Sequence, residues 1–137
     1  MDRLVKVTQR EDIFTHYKET PIGQLLEYHN LNRTFSQHDS AELLIGVCMD
    51  NRIKLRLPQN FAYVLRTGGA NLRYHEFQVS YAIAVGGLKH VALIAHSQCA
   101  MVNLHARKDQ FIDGLVKNSG WEKQWATDHY RHLAPMF

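Results

Sequence analysis

Three short apolar runs constrain this chain more than anything else in it. They predict strands over Leu43 to Val47, Ala62 to Leu65 and His90 to Ala95. Each is too short to be a packed helix and is apolar on both faces, as a strand inside a parallel sheet is. Helical patterns fall around them. His75 to Val85 reads as a helix with Phe77, Tyr81, Ala84 and Val85 as candidate buried positions, ended by Gly86-Gly87 at its C-terminal cap. Strands alternating with helices predict an α/β fold: a parallel β-sheet core flanked by helices. Ligands of such sheets bind beyond the carboxyl ends of the strands. The residues directly after each run are therefore the candidates for chemistry.

The first run leads into Cys48-Met49-Asp50-Asn51-Arg52 and the third into His96-Ser97-Gln98-Cys99. Two thiolates and an imidazole make a three-ligand zinc set, Cys48, His96 and Cys99. Three protein ligands leave one position open for water, which reads as catalytic rather than structural. Asp50 and Arg52 form an acid–base pair beside the first ligand, able to hold and orient metal-bound water. These are the chain's two cysteines. Taken alone they are equally readable as buried inert thiols or, in a secreted protein, as one disulfide. Their neighbours Asp50, Arg52 and His96, costly to bury unpartnered, favour ligation.

Together these segments resemble the β-class carbonic anhydrases, which show Cys-x-Asp-x-Arg after the first core strand and His-x-x-Cys after the third. Ala62-Tyr63-Val64-Leu65-Arg66 with Thr67-Gly68-Gly69-Ala70-Asn71 is similar to the family's second strand and its glycine-containing loop. The resemblance covers roughly Leu43 to Val102. It implies Zn²⁺ as cofactor and reversible hydration of carbon dioxide to bicarbonate and a proton by metal-bound hydroxide. In it, Asp50 orients the hydroxide and is kept ionised by Arg52. If that pair breaks, Asp50 itself becomes a fourth metal ligand and closes the site. Backbone amides at Gly68 and Gly69 face the substrate, and the protein is a homodimer or higher homo-oligomer. The family also implies an N-terminal helical arm, here residues 1–40, ahead of a zinc-binding α/β catalytic core over 41–137. Family members continue past Pro135-Met136-Phe137 into a further helix and strand. Two positions depart from the pattern: Ala100 stands where glycine is usual, and Gln98 where aspartate is usual. Both fit a sister activity on the same fold, hydrolysis of carbonyl sulfide or carbon disulfide. A non-catalytic zinc-binding homologue is the third reading, against which Asp50 and Arg52 argue.

Length allows one domain. The formal charge of +3 comes from interspersed residues with no basic block, which argues against nucleic-acid or anionic-membrane partners. No apolar stretch approaches a membrane span, and Met1 to Lys6 lacks the apolar core of a signal peptide, so a cytoplasmic location is expected. Elsewhere, Asp12 to Tyr28 reads as helical with a break at Pro21. Helical pattern resumes from about Ala100 through Leu104, Phe111, Ile112 and Leu115 to a stop at Asn118-Ser119-Gly120. A last helix is predicted from Trp121 to about Leu133. The remaining histidines are scattered, and Trp121 and Trp125 are read as packing.

Overall fold

The computed structural model describes residues 4–137; the first three residues of the N-terminal stretch just discussed lie outside them. The chain forms one α/β domain around a three-stranded parallel sheet of order β2-β1-β3, with β1 over Leu43–Cys48, β2 over Ala62–Thr67 and β3 over Val91–Ile94. Helices α1 (Pro21–Asn30) and α2 (Glu76–Ala84) pack against it, and α3 (Lys108–Ser119) and α4 (Lys123–Leu133) pack on each other. Among the described residues no helix is long and apolar enough to cross a membrane.

β1 is central, and all six of its residues are buried, as its unbroken apolar sequence requires. Leu43, Ile45 and Val47 pack with Phe61 and with Leu25 and Tyr28 of α1. Leu44 packs with Ala82 of α2 and with Leu88 on the opposite face. Each such side chain, fully buried, contributes roughly 1.5–3 kcal/mol. Parallel register sets Cys48 beside Thr67 and Val47 beside Ile94, so β1 ends level with its neighbours.

The predicted helix from Asp12 to Tyr28 is not continuous. Short 3-10 turns at Arg10–Asp12 and Thr15–Tyr17 precede α1. Pro21 does not break a helix but starts one, at the first helical position where its missing N–H costs nothing, capped by the Thr20 side chain. α1 covers its own sheet. Gly23 sits where an added Cβ would lie 2.2 Å from the Tyr17 carbonyl oxygen, so the preceding turn and α1 touch backbone to backbone. Glu27 of α1 is buried and bonded by Arg10 Nε (2.7 Å) and by Arg33 Nη1. Burial pushes its carboxyl up, but the two guanidinium groups outweigh this and hold it below the usual carboxylate value.

The buried face of α2 differs from expectation. Ala82 and Val79 meet the sheet, whereas Phe77 is 79% exposed, Tyr81 51% and Val85 67%, and Ala84 is exposed too. α2 is apolar around most of its circumference, so periodicity did not select a face, and small Ala82 allows the closest approach to Leu44. Its end is as expected, with Gly87 at φ 68° just beyond it. From Ala100 the chain makes two 3-10 turns, Ala100–Asn103 and His105–Arg107, before α3 begins. Gly120, at φ 68°, closes α3 in a left-handed cap and turns the chain into α4. The α3–α4 pair holds a core of its own: Ile112, Ala126, Tyr130 and Ala134. It is tied back to the β2 loop where Asn71 Nδ2 donates to the Met136 carbonyl (2.6 Å).

Candidate metal centre

The carboxyl ends of β1 and β3 bring Cys48, His96 and Cys99 together, as the sequence predicts. One ligand-type atom from each lies within 4.8 Å of the others. The two sulfurs are 3.8 Å apart. A disulfide needs about 2.05 Å, so the thiols are not joined. Two sulfurs held tetrahedrally at about 2.3 Å from one zinc ion would be separated by about 3.8 Å. His96 supplies a second sign: its Nε2 is buried without a hydrogen-bond partner. A buried ring nitrogen that makes no well-formed hydrogen bond is costly in either tautomer, and coordination to a cation beside the Cys48 sulfur would satisfy it. The donor set and its spacing therefore fit a metal ion.

Electrostatics favour the ligating form of Cys48. Burial pushes its thiol up. The backbone N–H of Asp50, the His96 ring, the backbone N–H of Gly69 and the Cys99 thiol outweigh this and bring it down to about 7. Thiolate, not thiol, is the metal ligand. Gly69 thus directs its amide toward Cys48; a role for Gly68 or Gly69 against substrate was expected. Gly69 has φ 62°, and a Cβ on Gly68 would lie 2.9 Å from Met101 Cε, so glycine at both positions follows from backbone conformation and close packing.

Asp50 and Arg52 face each other over the rim. Arg52 Nη2 donates to Asp50 Oδ2 (2.6 Å), Nε to both carboxylate oxygens (2.9 and 3.1 Å), and the Arg52 backbone N–H to Oδ1 (2.9 Å). Arg52 side chain and backbone together hold the Asp50 carboxyl far below the usual range. Asp50 is not in the ligand cluster; its oxygens are engaged by Arg52. Arg52 also donates to the Gln98 carbonyl (3.3 Å), linking the two ligand loops. Gln98 adopts φ 57°, and Ala100 is not among the left-handed residues, so alanine there carries no backbone strain.

Met49, Asn51, Ala100 and Met101 complete a cleft of about 550 Å³ around Cys48, Asp50 and Arg52. Two residues were not singled out from sequence. Arg66 donates to the carbonyls of Cys48 (3.1 Å) and Ile53 (2.9 Å) and so fixes the loop carrying Asp50 and Arg52. Met101 forms an apolar wall between this cleft and the α3–α4 pair. Charge inside a strand at its carboxyl end was the available signal for Arg66; none marked Met101. A second polar cleft, about 470 Å³, is lined by Arg10, Glu19, Glu27 and Arg33, whose charges bond one another.

The fold and the cluster define a class: an α/β domain with a metal-competent Cys-His-Cys set at the carboxyl end of its parallel sheet. The chain matches no family model, no curated protein and no solved structure.

Proposed function

We propose that this chain is a zinc-dependent, β-carbonic anhydrase-like lyase that interconverts carbon dioxide and bicarbonate. One observation carries the reading: the Asp50–Arg52 pair lines the same cleft as Cys48, which belongs to the cluster with His96 and Cys99. A structural metal site has no use for an ionised carboxylate held beside its open side.

Cys48, His96 and Cys99 would hold the ion. Zinc, when bound, supplies Lewis acidity that brings a water's pKa near 7. The chain's own residues do the rest. Arg52 keeps Asp50 ionised, so that Asp50 acts only as an acceptor toward a proton-bearing group in the cleft and sets its orientation. Arg66 and the Arg52–Gln98 contact hold the two loops in register. Met49 and Met101 give the cleft apolar walls suited to a small uncharged substrate.

A second reading, hydrolysis of carbonyl sulfide or carbon disulfide, is supported by Ala100 and Met101, which make one side of the cleft apolar. Stopped-flow carbon dioxide hydration across pH, on protein of known zinc content, tests both. Rapid zinc-dependent hydration rising with pH supports the first. No hydration with zinc bound, together with turnover of either sulfur compound, supports the second. Inertness toward all three substrates leaves a non-catalytic zinc protein.

A further inference from the structure

The polar cleft beside α1 carries bonding capacity that the chain itself does not use. It encloses about 470 Å³ between the turns that precede α1 and α1 itself, a volume in the range of small-molecule sites. It shares no lining residue with the cleft at Cys48.

Its cations outnumber its carboxylates: Arg10, Lys18 and Arg33 stand against Glu19 and Glu27. Buried Glu27 is held by Arg10 Nε (2.7 Å) and Arg33 Nη1. Glu19 takes Arg10 Nη2 (2.6 Å) from the solvent side, with its side chain 83% exposed. Nothing answers Lys18. It is half-buried, yet among the described residues its ammonium group has no hydrogen bond or ion pair. Arg33 engages a carboxylate through Nη1 alone, so further guanidinium N–H groups are free. Gln24 is the reverse case. Its Oε1 is buried in the cleft wall with no hydrogen-bond partner. A buried acceptor without a donor is costly, and this one calls for a donor from within the cleft.

These groups set the chemistry of the ligand. An unpaired ammonium beside spare guanidinium N–H groups suits an oxyanion. Exposed Glu19 is free to swing into solvent. Three cations then face one carboxylate, an excess of two positive charges. A phosphate monoester, at about −1.5 to −2 near neutral pH, matches that excess; a carboxylate answers only half of it. The Gln24 oxygen adds one requirement, a hydroxyl on the ligand.

We infer that this cleft binds a small phosphate monoester bearing a free hydroxyl. Its phosphate takes the place of Glu19 against Arg10, Lys18 and Arg33, and its hydroxyl donates to Gln24 Oε1. The site uses no residue of the metal centre and is independent of the catalytic reading.

Isothermal titration calorimetry of the whole chain at low ionic strength tests it, with glycerol 3-phosphate and methyl phosphate as probes. Glycerol 3-phosphate is expected to fill one saturable site. Methyl phosphate, which has no hydroxyl, binds about fivefold more weakly, the worth of one neutral hydrogen bond. Lys18→Ala, which breaks no bond of the fold, weakens binding of both probes by about tenfold. Glu19→Gln removes the competitor for Arg10 and tightens both by about two- to fivefold. Gln24→Leu makes the two probes bind alike. Absence of saturable binding by wild type and Glu19→Gln, unchanged affinity in Lys18→Ala, weaker binding in Glu19→Gln, or equal affinity of the wild type for the two probes overturns the assignment.

Discussion

The sulfurs of Cys48 and Cys99 stand 3.8 Å apart although 51 residues separate them in the chain. Two adjacent parallel strands produce this proximity: β1 ends on the first cysteine, and the loop after β3 carries the second alongside His96.

Metal content is the first consequence. On the proposed zinc reading, Cys48→Ser and His96→Ala are each expected to lose most bound zinc, measured by elemental analysis after gel filtration, and the proposed activity is expected to fall with it. Chelation of the wild-type protein should lower its melting temperature, since an ion bound only by the folded chain contributes about 2.7 kcal/mol at a hundredfold excess over its dissociation constant. Full zinc occupancy in both variants would remove these residues from the ligand set.

The rim pair separates binding from turnover. Asp50→Asn and Arg52→Ala are expected to keep zinc while carbon dioxide hydration falls by about 100-fold or more. Unaltered turnover in both would sink the role given to the pair.

Glu27 ties stability to acid pH. Its carboxyl titrates lower in the folded chain than in the unfolded one. Its contribution is therefore present above the unfolded value, about 4.3, and is lost as pH falls through the folded value. Urea midpoints of wild type and Glu27→Gln, followed from neutral to acid pH, should differ most at neutral pH and converge in acid. A constant gap would show that packing, not charge, carries the effect.

Two glycines should respond oppositely to alanine. At Gly23 the new Cβ meets two backbone carbonyl oxygens, Tyr17 (2.2 Å) and Lys18 (2.7 Å), which cannot rotate away. Gly23→Ala is expected to destabilise by about 3 kcal/mol or more. Gly114, inside α3, has only Asn118 Nδ2 at 4.0 Å, and Gly114→Ala should stabilise by roughly 0.5–1 kcal/mol. Equal denaturation midpoints for the two variants would contradict this contrast.

The strands were legible because Leu43 to Val47 cannot be anything but buried, and the ligand loops because Cys48, Asp50, Arg52, His96 and Cys99 are costly to bury without partners. Helix faces were less legible. Phe77 and Tyr81 are large and apolar, yet Ala82 takes the sheet contact, since which side of a uniformly apolar helix is covered depends on what lies beneath it. The turns at Ala100–Asn103 and His105–Arg107 keep an apolar pattern like that of an α-helix, so composition did not distinguish them. Arg66 acts through carbonyl groups 13 and 18 residues away, a relationship that only the fold creates.

The separate core of α3 and α4 divides the molecule's cooperativity. Opening of that hairpin exposes Ile112, Ala126, Tyr130 and Ala134 without disturbing Leu43, Ile45 or Val47. Amide hydrogens of α3 and α4 are therefore expected to exchange with solvent earlier than those of β1. Met101, which stands between hairpin and cleft, loses its backing in that opened state while Cys48, on β1, stays in place. The apolar wall of the candidate metal centre thus depends on the α3–α4 core, and its first cysteine on the core of the sheet.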